Sequence, residues 1–335
     1  MIVRDPEAFE AFGCDVDHVS GTRPTPDRLP PDVTFYSEGP RGVKVRMPDG
    51  VELDFWNFND PADSASRNIW PSRTLRVRQG QLVHHTLDAK KNTHTIHHHG
   101  MNSSTMNDGV GHVSFEVSGR YTYQFRPSSA GTYFYHCHKN TPLHFEMGMY
   151  GLLIVDPPEG RGKLWQNGPA YDVEAFWVVD DVDPRWRTLD HQAGVCGEDV
   201  GLDRFEPKYF MISGVPNNMT ALSNKVRVNA RVGQRILIRM LNASYSLVTM
   251  RIQGLDATIY GIDGRHLGSP DCPWSKPILL PSGTPHETIS AQRRDMIVIP
   301  SARGQYRVTF EFRDWVSGQI QDGGRGVAHT LINVT

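Results

Sequence analysis

The sequence predicts an all-β fold built from two Greek-key β-sandwich domains in tandem. Three observations carry this. Short runs of β-type residues recur along the chain, separated by Gly, Pro, Asn and Asp. No long stretch with a 3.6-residue apolar period competes with them. The two halves of the chain also repeat each other weakly.

The runs are Leu75–Arg78, Tyr121–Phe125, Thr132–Tyr135 and Leu152–Val155 in the first half. Arg235–Arg239, Met296–Ile299 and Tyr306–Phe310 follow in the second. Short strands at this spacing, with turn residues between them, are the rhythm of β-sandwiches. A polar, Pro-rich lead over residues 1–32 reads as an irregular arm. A turn-rich break at Asp156–Lys163 divides the rest. The expected organisation is therefore a first domain over 33–157, a linker over 158–168 and a second domain over 169–335.

The repeat is read by aligning Leu87-Asp-Ala with Leu241-Asn-Ala. On that register His94 falls on Val248, His97 on Arg251 and His99 on Gln253. Gly131 likewise falls on Gly304, which sets His136-Cys137-His138 against Thr309-Phe310-Glu311. The second domain reads as a copy that kept its strands and lost every metal-ligating side chain.

Bulk composition bounds the function. The 335 residues are 38% hydrophobic and 21% charged, values of a globular chain, and the net charge is −2. Near-neutral charge argues against nucleic acid or an anionic membrane as the main partner. No apolar run approaches membrane-spanning length. The N-terminal stretch has no basic n-region and no apolar h-region. A cytoplasmic location is expected for the sequence as it stands, and a periplasmic or secreted one if a signal has been removed. Of four cysteines (Cys14, Cys137, Cys196, Cys272), at most one intrachain pair forms if Cys137 binds metal. The anomaly is histidine: ten of the 15 fall between His84 and His144.

Two motifs hold the chemistry. The first is His94-Thr-Ile-His97-His98-His99-Gly100; the second is His136-Cys137-His138, followed by His144, Met147 and Met149. Neighbours on a strand point to opposite faces. One face therefore offers His94 and Cys137, joined by His144 and a Met from the next loop. The opposite face offers His97, His99, His136 and His138. Two imidazoles, a thiolate and a distant thioether are the ligands of a mononuclear blue-copper site. Zinc is the competing metal, but one Cys with a Met is a poor zinc set. A buried Cys among core histidines is the bland alternative. Four imidazoles in two His-x-His pairs suggest a second metal site, reached by the short covalent path from Cys137 to its flanking histidines.

These motifs resemble those of the multicopper oxidase family, and the resemblance extends over most of the chain beyond residue 70. It implies tandem cupredoxin-like domains and copper as cofactor. It implies that His94, Cys137, His144 and Met149 are type 1 ligands; Met149 is preferred to Met147 on the pattern of its turn. His97 then matches a type 2 ligand, and His99, His136 and His138 match type 3 ligands. Asp108, in Asn107-Asp108-Gly109, resembles the family acid that assists proton delivery; as a plain turn residue it has an equal claim. Arg235–Asn242, Tyr260–Gly264 and Arg293–Val298 resemble the family's copper-free domain. The resemblance further implies a small-molecule electron donor, oxygen as acceptor and a homotrimer.

The departure lies in the cluster. A full trinuclear site takes eight histidines from two facing domains, and this chain supplies four. A neighbouring subunit would present Arg251 and Gln253 where ligands should stand, and the remaining second-half histidines (His191, His266, His286, His329) read as ordinary polar residues. Two other functions are therefore carried. One is a copper nitrite reductase-like enzyme, which the His97 and His138 positions disfavour. The other is a non-enzymatic type 1 copper carrier, which has no use for the second histidine set.

Overall fold

A computed structural model describes residues 30–335, together with the backbone of two short strands before them, Ile2–Arg4 and Asp17–Val19. The expected arm over residues 1–32 therefore lies almost wholly outside the described residues. The rest is all-β, with only short helices. Among the described residues no helix is long and apolar enough to cross a membrane.

Each half packs two mixed sheets. In the first half, one sheet runs in the order Ile2–Arg4, Asp17–Val19, Glu116–Phe125, Val83–His94, Val33–Arg46, Glu52–Asn59. The facing sheet runs Ser72–Arg78, Tyr150–Asp156, Gly131–His136, His97–His99. The second half repeats both. Val173–Val182 lies parallel to Ile236–Asn242, as Val33–Arg46 lies parallel to Val83–His94. Val228–Ala230 lies parallel to Val327–Val334, as Ser72–Arg78 does to Tyr150–Asp156. The register agrees with the repeat read from sequence: His97 pairs with His136, and Arg251 pairs with Thr309.

Each sandwich has its own core. The first is filled by Leu75, Val83, Leu87, Ile96, Tyr123, Tyr133, Tyr135, Leu153 and Val155; the second centres on Trp177, Ile236, Ile238, Met240, Phe310 and Phe312. A third apolar cluster joins the halves, with Phe134, Tyr150, Leu152 and Ile154 meeting Val178, Met211 and Leu241. Tyr150–Asp156 is thus covered on both faces and every residue in it is buried. This is why Leu152-Leu-Ile-Val reads as a continuous apolar run rather than an alternating one.

A buried ionic chain runs through the same junction. Arg76 forks onto Asp156 (2.6 Å) and reaches Glu174 (2.8 Å), and Arg239 meets Glu174 (2.6 Å) and Asp295 (3.3 Å). Arg239 also donates to Thr132 Oγ1 of the first half (3.0 Å), and Thr132 in turn donates to Asp295. His266 Nε2 stands 3.2 Å from Asp295, so this second-half histidine is a core polar residue, as expected. Breaking one member of such a chain leaves a buried charge without its partner.

Asp295→Ala is expected to destabilise the protein by about 3–5 kcal/mol, read as a lowered midpoint in urea unfolding. Burial opposes ionisation of Asp295, but Arg239 and His266 outweigh it and hold its pKa down at about 2. A depressed folded-state pKa contributes stability above the ordinary carboxylate value. That contribution should fade as pH falls from about 4 toward 2, and unfolding midpoints across that window should fall more in the parent than in Asp295→Ala, where Asp172 and Glu174, also held low, still titrate.

Candidate metal centre

The strand Gly131–His136 decides where the ligands go. Tyr133 and Tyr135 point into the first core, and Cys137 continues on their side. Phe134 faces the junction between the halves, and His136 stacks beside it on that side. The expected split of His136 and Cys137 onto opposite faces is therefore what the strand does.

The loop after Cys137 returns two more side chains to it. Thr141–Glu146 forms a short helix with Pro142 in its first turn, where no backbone donor is needed. His144 is in its last turn, buried. Gly148 then turns the chain at φ +107, a region costly for any other residue. Met149 N donates to His144 O (3.1 Å), and Cys137 N donates to Met149 O (3.0 Å), closing the loop. His94 arrives from the end of Val83–His94, after a break in register between Ala89 and His94.

Cys137, His94 and His144 are all fully buried. Cys137 Sγ stands 3.3 Å from His144 Nδ1 and 3.6 Å from His94 Nδ1. Cys137 is a free cysteine, and burial pushes its thiol up to about 11. Burial, with His144 and then His191 beside it, holds His94 well below its usual pKa; burial and His191 bring His144 down to about 3. Neutral imidazoles around a thiol that cannot ionise alone form a donor set a soft cation completes. Met149 shares the Cys137 core, whereas Met147 packs with Leu143 and Trp186 and has Arg187 Nη1 3.7 Å from its sulfur. Of the two thioethers, Met149 is on the side of the thiol.

One residue from the second half, His191, meets the outer nitrogens of both imidazoles, and for His94 it shares that place with the Lys91 carbonyl. His144 Nε2 donates to the backbone carbonyl of His191 (3.0 Å), which fixes Nδ1 as its ligating atom. His94 Nε2 lies 3.1 Å from Lys91 O and 3.2 Å from His191 Nε2. His191, expected to be an ordinary polar residue, is part of this site. Its loop is fastened by Trp186, Leu189, Val200 and Leu202 packing on Leu143 and Met147. Spacing could not reveal it: it comes 47 residues after His144 in a strandless segment.

On the opposite face His97, His99 and His136 form a second group whose ligand atoms converge. His99 Nδ1 is 3.3 Å from His136 Nε2. His97 Nδ1 is 2.7 Å from Asp108 O and His136 Nδ1 is 2.9 Å from Cys137 O, so each directs Nε2 away from its own backbone partner. Burial first, then Arg293 and His97, lowers His99 to about 3. His138 stands at the edge: its ring lies 5.3 Å from that of His97 and its Nδ1 meets Thr141 Oγ1 (3.1 Å), outside the converging three. Asp108 ends the helix Thr105–Asp108, with Oδ1 3.5 Å from His97 Nδ1.

His98, between the two convergent imidazoles of its strand, belongs to neither ligand group. It is buried, lies 4.2 Å from the Phe125 ring and pairs with His85 Nδ1 (3.0 Å). In the second half, Arg251 and Glu311 stand 3.8 Å apart at the positions matching His97 and His138. An ion pair stands at those positions, and among the described residues no third metal-sized cluster appears.

Residues 64–160 match the family model for multicopper oxidases. The copper-containing nitrite reductase of Neisseria gonorrhoeae is 31% identical over 210 residues, 61% of this chain and 48% of that protein. The L-ascorbate oxidase of Cucumis sativus is 32% identical over 180 residues, 49% of this chain and 28% of that protein. The chain spans about half the length, or less, of the curated relatives it matches. Among solved structures, the blue copper oxidase of Nitrosomonas europaea superposes with a TM-score of 0.68 at 21% identity, covering 90% of this chain and 86% of that one. A copper nitrite reductase from Nitrosomonas europaea superposes at 0.62 and 18%, covering 90% and 93%. At these identities the likeness is one of fold: tandem cupredoxin sandwiches.

A methyl group at Gly148 would lie 2.3 Å from Trp70 Nε1 and 2.9 Å from Trp56 O. Gly148→Ala should therefore cost about 1–3 kcal/mol for the backbone conformation alone, with the clash added. Thermal unfolding should show the loss, and Gly50→Ala, with only an arginine tip nearby at 3.7 Å, should show less.

Proposed function

We propose that this chain, whose segment 64–160 is that of the multicopper oxidase family, is a copper-dependent oxidoreductase working as an oxidase. The observation that carries the reading is the convergence of two separate ligand groups on opposite faces of one strand. In this reading His94, Cys137, His144 and Met149 hold a type 1 copper. His97, His99 and His136, with His138 at their edge, hold a second copper site of the type 2/type 3 kind.

Bound copper would supply a one-electron couple at the thiolate site and an open, oxygen-binding position at the imidazole site. The residues do the rest. Cys137 and His136 are adjacent, so the backbone between them joins the two groups covalently. His97 and His136 keep their Nδ1 protons on backbone carbonyls, which leaves Nε2 as the ligating atom. Reducing oxygen to water consumes one proton per electron. The Asp108 carboxylate beside His97 is the group assigned to deliver them. Burial of Cys137 keeps water from the thiolate. The donor is assigned as a small reductant. A homotrimer is proposed on analogy with two-domain relatives, a neighbour's second half covering the imidazole face; light scattering reads that mass directly.

A second reading is favoured by one observation. Only three imidazoles converge tightly, which suits a single copper with a free position. Nitrite, the substrate named for several relatives, would then be the acceptor in place of oxygen.

Metal analysis and EPR of the copper-loaded protein test both. Two or more coppers per chain, one with a type 1 signal, are expected. Cys137→Ser should abolish the visible band, and His97→Ala should remove the non-type 1 signal while leaving the band. A single copper with a type 1 signal alone would sink both enzymatic readings. Oxygen uptake against nitrite loss, with the same electron donor, separates the two.

A further inference from the structure

His191 does more than touch the mononuclear group. It lies between that group and the outside. His94 and His144 are fully buried, and their Nδ1 atoms face Cys137. In a copper site their Nε2 edges are the natural points of entry for an electron. Both edges meet His191: His144 Nε2 donates to its carbonyl (3.0 Å), and His94 Nε2 lies 3.2 Å from its imidazole Nε2 and 3.1 Å from the Lys91 carbonyl. On its outer side His191 lines a surface cavity of about 390 Å³, with Trp56, Lys91, Asn92, Leu189 and Asp190. The cavity therefore meets His191, and the ligand behind it is covered. Trp56 closes the other approach, its ring edge-on to His144 (5.5 Å) and tilted against His191 (6.1 Å).

The position is held from both sides. Asn140 donates to the carbonyls of His191 (3.3 Å) and Ala193 (2.9 Å), tying the second-half loop to the ligand loop. The apolar cluster around Trp186 fastens the loop below. His191 as a whole is only 6% exposed, so it stays where these contacts put it.

We propose that His191 is the electron-entry residue of this protein, linking a small one-electron donor in the cavity to His94. The inference rests on the type 1 assignment above. In the step, the donor loses one electron and is oxidised. A copper held by His94, Cys137 and His144 would take up that electron, passing from Cu(II) to Cu(I). His191 changes neither its oxidation state nor its protonation, and no bond to it forms or breaks. A donor that sheds a proton on oxidation releases it to water in the cavity.

The test uses the copper-loaded full chain, mixed under anaerobic conditions with hexacyanoferrate(II) or hydroquinone while bleaching of the visible band is followed. His191→Phe keeps the bulk and the ring but loses the nitrogen contact. It should slow bleaching by about 10- to 100-fold, the range for losing a partner of a metal-ligating histidine, with the band and EPR spectrum unchanged. His191→Gly should also be slow with hydroquinone and should recover with added imidazole. Bleaching of His191→Phe at the parent rate would show that His191 only seals the site and would overturn the proposal. So would a shifted band and EPR spectrum in His191→Phe, or failure of imidazole to speed His191→Gly, since each assigns His191 to holding geometry. A parent protein with no visible band refutes the type 1 assignment itself, a result distinct from a blue protein whose variants bleach normally.

Discussion

The structure depends on one strand being buried on both of its faces. Gly131–His136 sits between the first core and the junction with the second half, and every residue in it is buried. Because side chains alternate, such a strand delivers successive residues to two environments. Tyr133, Tyr135 and then Cys137 enter a dry core; Thr132 and Phe134 meet the other half, and His136 stacks beside Phe134 on that side. A register slip of one residue would exchange thiol and imidazole between the faces and dissolve both ligand groups at once. The pairing with Tyr150–Asp156 on one side and His97–His99 on the other prevents this, since it holds His136 opposite both Tyr150 and His97.

That burial requires the second half. Without it Phe134, Tyr150, Leu152 and Ile154 would face water, and Arg76 would lose Glu174. Apolar burial supplies the driving force, while the buried ionic chain from Arg76 to Asp295 fixes orientation, because fork-shaped guanidinium contacts tolerate little sliding. The second half thus acts on the ligands at a distance, by setting the plane against which the first half packs, and directly through the loop that presents His191. A second half with Arg251 and Glu311 at the positions matching His97 and His138 thus still supports the ligand groups of the first.

Much of the fold was legible because its signals are local. The apolar runs, the turn residues between them and the internal repeat are properties of neighbouring residues, and the repeat register agrees with Arg251 opposite Thr309. The split between His136 and Cys137 was legible for the same reason. The choice of Met149 over Met147 needed the turn at Gly148, which sequence pattern suggested and packing displays. His138 did not follow from alternation alone: it lies past the last paired residue of its strand, so its direction is set by Thr141 and not by the pleat. His98 alternates as expected, yet its partner His85 comes from the opposite sheet, and no local pattern encodes such a pairing. His191 is the extreme case. Its place is decided by a loop whose anchors, Trp186, Leu189, Val200 and Leu202, have no period to read.

The same contrast bears on how the two ligand groups came to differ in completeness. The mononuclear group draws all its ligands from one half and is covered by the other, so it closes within a single chain. The imidazole group lies nearer the rim, with His97, His99 and His138 only partly buried, and the matching residues of the second half lie on that half's own sheet rather than across from it. Among the described residues, that sheet pairs with no strand of the first half. A site of this kind is either finished by a second copy or left with open positions, and open positions are what a small acceptor needs. In the proposed reading, the chain places the part that must stay dry inside itself, and the part that would admit a substrate at its edge.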